Sequence, residues 1–201
     1  MTRPIVAAFD FDGTITHSDS FLPFLRAVAG NARYAQYMLD LSPVLLGYGV
    51  GLVKNHQAKA QVLAKFFTGK DRVQVGQIAQ DFATRLLPGL IRPGALARLA
   101  WHQQQGHRCV IVSASLECYL RPWAETVGVR DIIGSRLATA GAVYNGELDG
   151  TNCYGAEKVR RLQALLGART DYTLYAYGDS QGDRELLACA DYAYYRKMPA
   201  A

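Results

Sequence analysis

Three short apolar runs, each ending in a polar residue, most constrain what this chain can fold into. Residues 5–9 (IVAAF) lead into Asp10, the run at 110–112 leads into Ser113, and residues 172–178 lead into Asp179. Short apolar runs are typical of strands buried on both faces, and helical patterns separate these three. Strands that alternate with helices form an open parallel sheet with right-handed crossovers. The sequence therefore predicts a doubly wound, Rossmann-like α/β fold.

The region from Ser20 to about Leu87 departs from this alternation and has the pattern of helices. FLPFLRAV, ARYAQYMLDL and AKAQVLAKFF place apolar residues three and four positions apart. The α/β rhythm returns after Pro88-Gly89. We therefore predict an all-helical cap domain at residues 17–87, inserted into an α/β core formed by residues 1–16 and 88–201.

Residues 41–53 (LSPVLLGYGVGLV) form an almost uncharged segment of this helical region. The segment is shorter than the about 20 residues that span a bilayer. We predict a buried helix that packs on its neighbours, and we keep contact with a membrane surface as the less favoured alternative.

A β-hairpin is predicted near residue 145. Asn145-Gly146, within AVYNGELDG, is the strongest short signal for a two-residue hairpin turn. The preceding segment IIGSRLAT, residues 132–139, is predicted as a strand.

Composition and charge bound the partners of the chain. The 201 residues carry a formal net charge of +5, which is modest, and the basic residues are scattered, so we predict no binding to nucleic acid. The four cysteines show no C-x-x-C spacing, which argues against a zinc site and favours free thiols in the cytoplasm. No signal peptide is recognised at the N-terminus. The oligomeric state is not predicted.

Polar side chains that follow three parallel strands are expected to meet at one edge of the sheet. These side chains are Asp10 and Asp12, Ser113, and Asp179 with Asp183. Carboxylates gathered in a cleft repel one another, and a hard divalent cation removes that cost. The sequence therefore predicts a Mg²⁺ site. Lys158 and the hydroxyl of Ser113, with nearby backbone N–H groups, are predicted to bind a phosphate there.

Four motifs in chain order make the sequence resemble phosphatases of the haloacid dehalogenase superfamily. The motifs are DFDGT at 10–14, the serine of VIVSAS at 110–115, the lysine of GAEKV at 155–159, and GDSQGD at 178–183. They extend over nearly the whole chain, and their joint occurrence is far more specific than any one alone.

The resemblance implies a role for each matching residue. Asp10 is expected to attack phosphorus and form an aspartyl-phosphate, and Asp12 to act as the general acid and base. Mg²⁺ is expected on the side chains of Asp10 and Asp179 and on the backbone carbonyl of Asp12. Asp183 is expected to support the metal site. Thr14 is expected to position the phosphate or Asp10. Contact with the phosphoryl oxygens is expected from Ser113, Ala114 and Lys158.

The helical insert resembles the cap of the phosphoserine-phosphatase-like branch. In phosphoserine phosphatases an acid at the position of Asp19 binds the substrate amine, although Asp19 could equally cap the helix that begins at Ser20. Those enzymes usually carry a serine where this chain has Gly13, and a cap arginine that residues 50–70 lack. These departures argue against phosphoserine itself as the substrate.

The leading hypothesis is therefore a Mg²⁺-dependent phosphatase acting on a small phosphorylated metabolite through an aspartyl-phosphate. One alternative is a phosphatase for phospholipid phosphates, similar to phosphatidylglycerophosphate phosphatases, at a membrane surface; DSFLPFLR at 19–26 and the 41–53 segment resemble that group. Another is a protein that binds a phosphorylated ligand without hydrolysing it. The specificity residues of the cap and the substrate are not predicted.

Overall fold

The predicted parallel sheet is present in the structure, a computed structural model that describes residues 3–199. Five strands run parallel in the order β3-β2-β1-β6-β7, and β4 and β5 form a separate antiparallel pair. The strands are β1 (Ile5–Phe9), β2 (Arg108–Leu116), β3 (Asp131–Ser135), β4 (Leu137–Ala140), β5 (Val143–Leu148), β6 (Thr173–Gly178) and β7 (Tyr192–Tyr195).

Helices cover both faces of the sheet, because alternate residues of each strand point to opposite sides. The helices are α1 (Phe21–Ala29), α2 (Asn31–Asp40), α3 (Ser42–Gly49), α4 (Asn55–Phe67), α5 (Arg72–Asp81), α6 (Pro93–Gln104), α7 (Glu117–Thr126), α8 (Ala156–Leu166) and α9 (Arg184–Ala188). Phe9 of β1 shares one buried cluster with Trp123 of α7, whereas Ala8 shares another with Leu162 of α8. The doubly wound fold is thus confirmed.

The segment predicted to be helical contains α1 to α5, followed by a π turn at Phe82–Leu86 and a 3₁₀ turn at Leu87–Leu90. Its buried side chains continue the cluster on one face of the sheet: Phe24 and Phe66 lie in the same cluster as Phe9. Phe24 also contacts Tyr119 of α7, with ring centroids 4.6 Å apart. The helical content is confirmed, while the division into a cap at 17–87 and a core stays a prediction.

The predicted hairpin forms, but its turn is not where the sequence placed it. The chain reverses at Gly141-Ala142, between β4 and β5, and Asn145-Gly146 lies inside β5. Gly146 has φ 86°, and a Cβ there would lie 2.8 Å from Cα of Ala64 in α4. The glycine is needed because α4 passes close to the strand, which is a contact between distant parts of the chain.

The segment predicted as one strand at 132–139 forms two strands that belong to different sheets. β3 joins the parallel sheet and β4 pairs with β5. Arg136 lies at the break, where its carbonyl accepts a hydrogen bond from the Asp149 N–H at 2.8 Å. This contact turns the chain out of the main sheet.

The segment at 41–53 forms a helix, as predicted, but the prediction that it is buried is wrong. None of the residues of α3 is buried, and Leu46 and Leu52 are 70% and 84% exposed. The helix contacts α2 and α4, and Leu45 packs against the core, but glycines at 47 and 49 leave the helix few side chains for packing. Within the described residues, no helix has both the length and the apolarity needed to cross a bilayer.

Candidate active site

The strand ends meet as the sequence predicted. β1 is the central strand and lies between β2 and β6. Asp10 and Asp179 directly follow β1 and β6, whereas Ser113 lies inside β2, just past Ile111, the last residue that pairs with β1. Asp10, Ser113 and Asp179 line the same cleft, together with Asp12 and with Lys158 of α8. The residues that carried the resemblance are therefore brought together by the fold.

Three carboxylates cluster at this cleft: Asp10 and Asp179 line it, and Asp183 is buried behind them. One oxygen each from Asp10, Asp179 and Asp183 lies within 4.8 Å of the others. Asp183 is fixed by the loop after β6, because it accepts hydrogen bonds from the N–H groups of Asp179 and Ser180 at 3.2 and 3.0 Å. The sequence expected Asp183 to support the metal site, and its carboxylate lies close to those of Asp10 and Asp179 while it binds donors of the protein.

Lys158 is buried between two of these carboxylates. Its Nζ donates to Oδ1 of Asp10 and to Oδ1 of Asp183, both at 2.5 Å. Burial alone would lower the pKa of Lys158, but the two negative charges outweigh it and raise the pKa. In this arrangement the lysine neutralises the carboxylates. Lys158 also lines the cleft, and its contact with phosphoryl oxygens stays a prediction.

Asp10 has an unusually basic carboxyl group in the metal-free protein. Burial raises its pKa to about 7, and the repulsion from Asp183 adds to this while Lys158 opposes it. The Thr14 hydroxyl lies 3.5 Å from Oδ2 of Asp10 and 3.4 Å from Oδ1 of Asp179, so it can donate to either. Thr14 is thereby placed to orient Asp10, one of the two roles expected for it.

The carboxylate of Asp12 is separate from this cluster and is held by two serines. It accepts hydrogen bonds from the Ser20 N–H at 2.8 Å and from the Ser115 hydroxyl. Burial raises its pKa, and the charge of Asp19 raises it further. A raised pKa suits a carboxyl group to act as a general acid, which must carry a proton when it acts.

The residues after β1 also require glycine at position 13. Gly13 has φ 79°, and a Cβ there would lie 2.2 Å from Oδ2 of Asp179. The loop that carries Asp10 and Asp12 therefore passes directly over the carboxylate that β6 supplies.

Ser113 and Ala114 lie at the site, and each already accepts one hydrogen bond from within the protein. Oγ of Ser113 accepts from the Ser115 N–H at 3.1 Å. The carbonyl of Ala114 accepts from Lys59 at 2.6 Å. The serine hydroxyl retains its own hydrogen for a ligand oxygen.

Lys59 of α4 is a site residue that the sequence reasoning missed. Its Nζ bridges the Ala114 carbonyl and Oδ1 of Asn152, which also lies 2.6 Å away. Burial lowers the pKa of Lys59 to about 8. Nothing in the local sequence distinguishes this lysine, since its partners lie far along the chain. Ser115, which binds Asp12, was missed as well. Its place at the site could have been inferred from Ser113, because residues two apart on a strand share a face.

Asp19 lines the cleft and also stabilises the start of α1. Its Oδ1 accepts a hydrogen bond from the Leu22 N–H at 2.9 Å. The sequence left two roles open for Asp19, binding of a substrate amine and capping of the helix. The structure shows the capping contact.

The acidic cluster fits a divalent cation. Its donors are carboxylate oxygens, the ligands that Mg²⁺ and Ca²⁺ prefer. Two of the three residues are buried, and Asp10 and Asp179 both have raised pKa values, chiefly through burial. A bound cation would remove the repulsion that contributes to these shifts.

A doubly wound sheet with an acidic cleft at its carboxyl edge is typical of Rossmann-like enzymes that use aspartates placed after the strands. The model of the haloacid dehalogenase-like hydrolase family matches residues 7–188, and the chain belongs to this family. The resemblance recognised from the four motifs is confirmed.

Among its relatives, the protein CicA of Caulobacter vibrioides is 39% identical over 98% of this chain and 90% of that protein. A probable phosphatase of Mycobacterium tuberculosis is 28% identical over 93% of this chain and 67% of that protein.

Solved structures share the fold. A Bordetella pertussis protein of unknown function superposes with a TM-score of 0.80 at 25% identity, over 94% of this chain and 87% of that one. A phosphoserine phosphatase solved as an analogue of its phospho-aspartyl intermediate gives 0.61 at 15% identity, over 94% and 84%. At that identity the likeness concerns the fold alone.

Proposed function

We propose that this protein is a Mg²⁺-dependent phosphatase that hydrolyses a phosphate monoester through an aspartyl-phosphate. The observation that carries the proposal is the placement of a buried, lysine-paired Asp10 beside two further carboxylates, with Asp12 held apart from them on the same loop. The relative described as a probable phosphatase supports it.

The chain supplies the groups that such a reaction needs. An oxygen of Asp10 attacks phosphorus, the bond to the ester oxygen breaks, and Asp12 gives its proton to the departing oxygen. A water molecule then attacks phosphorus, Asp12 takes its proton, and Asp10 is regenerated with release of phosphate. Magnesium held by the side chains of Asp10 and Asp179 and by the backbone carbonyl of Asp12, with Asp183 in support, would offset the charge of the phosphoryl group. Ser113 donates its hydroxyl to a phosphoryl oxygen.

Removing divalent cations is expected to abolish activity. We expect EDTA to lower the hydrolysis of p-nitrophenyl phosphate by at least about 100-fold, and added Mg²⁺ to restore it. Release of p-nitrophenolate measures the rate, and circular dichroism in EDTA checks that the fold persists. Full turnover in EDTA would contradict the metal requirement. Tight retention of phosphate esters without any turnover would instead favour the non-catalytic binder.

Exposed apolar side chains favour a second candidate, a phosphatase for phospholipid phosphates at a membrane surface. Leu46, Val50 and Leu52 are 70%, 71% and 84% exposed on α3 and the turn after it. Each side chain of this kind can contribute about 1.5–3 kcal/mol when it is buried. The cytoplasmic location predicted from the sequence is compatible with such a surface contact.

If the protein acts at a membrane, it should sediment with vesicles that contain an anionic phospholipid. The double substitution Leu46→Gln and Leu52→Gln should then release it, because the apolar contact is lost. Val73→Gln is the matched control, since Val73 is 69% exposed on α5, outside this segment. A wild-type protein that stays in the supernatant would remove this candidate.

A further inference from the structure

The cleft above the carboxylates has mostly apolar walls. Its volume is about 440 Å³, within the range of small-molecule sites. Asp10 and Asp12 lie at one part of it, together with residues of β2, of the loop after β6 and of the segment that leads into α8, and helices α1 to α4 supply most of the apolar wall. The apolar side chains that line it include Phe21, Leu22, Met38, Leu45, Tyr48 and Val62.

The charged side chains on these helical walls already have partners within the protein. Asp19 accepts the Leu22 N–H at 2.9 Å. Lys59 donates to the Ala114 carbonyl and to Asn152, both at 2.6 Å. Asp19 is exposed and Lys59 is half-buried, so a ligand ammonium or carboxylate would compete with these contacts for the same two side chains.

An amide on the wall is paired in the same way. Nδ2 of Asn55 donates to the Tyr48 hydroxyl at 3.2 Å. The Tyr48 hydroxyl and the Asn55 amide thus bind each other at the wall of the cleft.

The acidic cluster fixes which end of a substrate lies where. A phosphoryl group must reach Asp10, and the ester oxygen must reach Asp12, so the remainder of the substrate extends along the helical walls. An apolar remainder would bury its surface against these side chains without leaving a polar group unpaired.

We infer that the substrate is a phosphate monoester with an apolar leaving group, such as an alkyl chain of several carbons. This inference rests on the proposed phosphatase function and names the class of substrate that the same cleft takes. Small, highly charged phosphate esters are expected to be poor substrates by comparison.

A series of n-alkyl phosphates tests the inference. We expect kcat/KM to rise from ethyl through butyl and hexyl to octyl phosphate, by about two- to fourfold per added methylene until the wall is covered. O-phosphoserine, which is similar in size to a short alkyl ester but charged, should fall below butyl phosphate. Rates are measured by phosphate release in Mg²⁺, at concentrations where each ester is monomeric.

Two neighbouring residues of α3 provide a matched pair of variants. Leu45 lines the cleft, whereas Leu46 is outside its lining and 70% exposed. Leu45→Gln should flatten the dependence on chain length, because it places an amide on the apolar wall. Leu46→Gln should leave that dependence unchanged. Thermal unfolding of both variants checks that each retains the fold.

The possible outcomes separate this inference from the proposed function. Equal rates for all chain lengths, or O-phosphoserine as the best substrate, would overturn the apolar leaving group and leave the phosphatase in place. If none of the esters nor p-nitrophenyl phosphate is hydrolysed, the proposed function fails. In that case calorimetric binding of ethyl- and octylphosphonate tests whether the cleft prefers an apolar chain. Octylphosphonate binding at least about 10-fold more tightly supports the inference, and equal affinities refute it.

Discussion

Replacing Asp10 by asparagine is expected to lower kcat by about four orders of magnitude or more. Asparagine has nearly the shape of aspartate, so it should fit the buried position, but its amide is not a nucleophile towards phosphorus. Lys158 retains Asp183 as a partner at 2.5 Å. Steady-state hydrolysis of p-nitrophenyl phosphate measures the loss. Acid quenching and mass spectrometry should detect a phosphorylated wild-type protein and no phosphorylated variant.

Asp71→Asn is the control for Asp10→Asn. Asp71 caps α5 by accepting the Gln74 N–H at 2.9 Å, and asparagine caps helices equally well. This variant should therefore retain full activity. Appreciable turnover by Asp10→Asn, after exclusion of deamidation by mass spectrometry, would remove Asp10 from the role of nucleophile.

Asp12→Asn distinguishes the proposed acid from the nucleophile. An asparagine at residue 12 keeps a hydrogen-bonding group near Ser20 and Ser115 but cannot supply a proton. Formation of the phosphoenzyme should slow much more with an alkyl phosphate than with p-nitrophenyl phosphate, because p-nitrophenolate departs without protonation. Equal losses with both esters in single-turnover measurements would contradict the role of Asp12 as general acid.

Replacing Lys158 by methionine is expected to destabilise the metal-free protein by about 3–5 kcal/mol. The buried carboxylates of Asp10 and Asp183 would lose the cation that lies 2.5 Å from each. Mg²⁺ should recover part of this stability, since it would place positive charge among the same oxygens. Urea denaturation in EDTA and in MgCl₂ measures both effects, and kcat should fall by about 10²–10³.

Lys65→Met is the matched control for Lys158→Met. Lys65 pairs with Asp40 at 2.6 Å, but both side chains are well exposed, so the change should alter stability by no more than about 1 kcal/mol. If Lys158→Met in EDTA is as stable as Lys65→Met, the buried ion pairs do not have the structural importance proposed for them.

The positions of Asp10, Ser113 and Asp179 could be predicted from the sequence because they depend on a general property of parallel sheets. The carboxyl ends of neighbouring strands lie along one edge, so residues that follow such strands meet wherever they are in the chain. Local apolar patterns were enough to find β1, β2 and β6. The approach of Asp10 to Asp179 then followed from their places at the strand ends, whereas the separation of the Asp12 carboxylate depends on Ser20 and Ser115.

Contacts between distant segments could not be predicted in the same way. Gly146 is required because α4 passes close to β5, and the turn preferences of Asn-Gly do not describe such a contact. Lys59 becomes a site residue only through partners on β2 and on the loop before α8. The exposure of α3 likewise depends on what packs against it, because an apolar sequence pattern does not specify a neighbour.

The close approach of Gly13 to Asp179 has a consequence for protein engineering. Two segments separated by most of the polypeptide share a space too small for one methyl group, so neither can be redesigned alone. A library that randomises residues 10–14 should keep position 13 constant, or vary the loop after β6 at the same time. Otherwise inactive clones would report steric exclusion and would say nothing about which chemical groups catalysis needs.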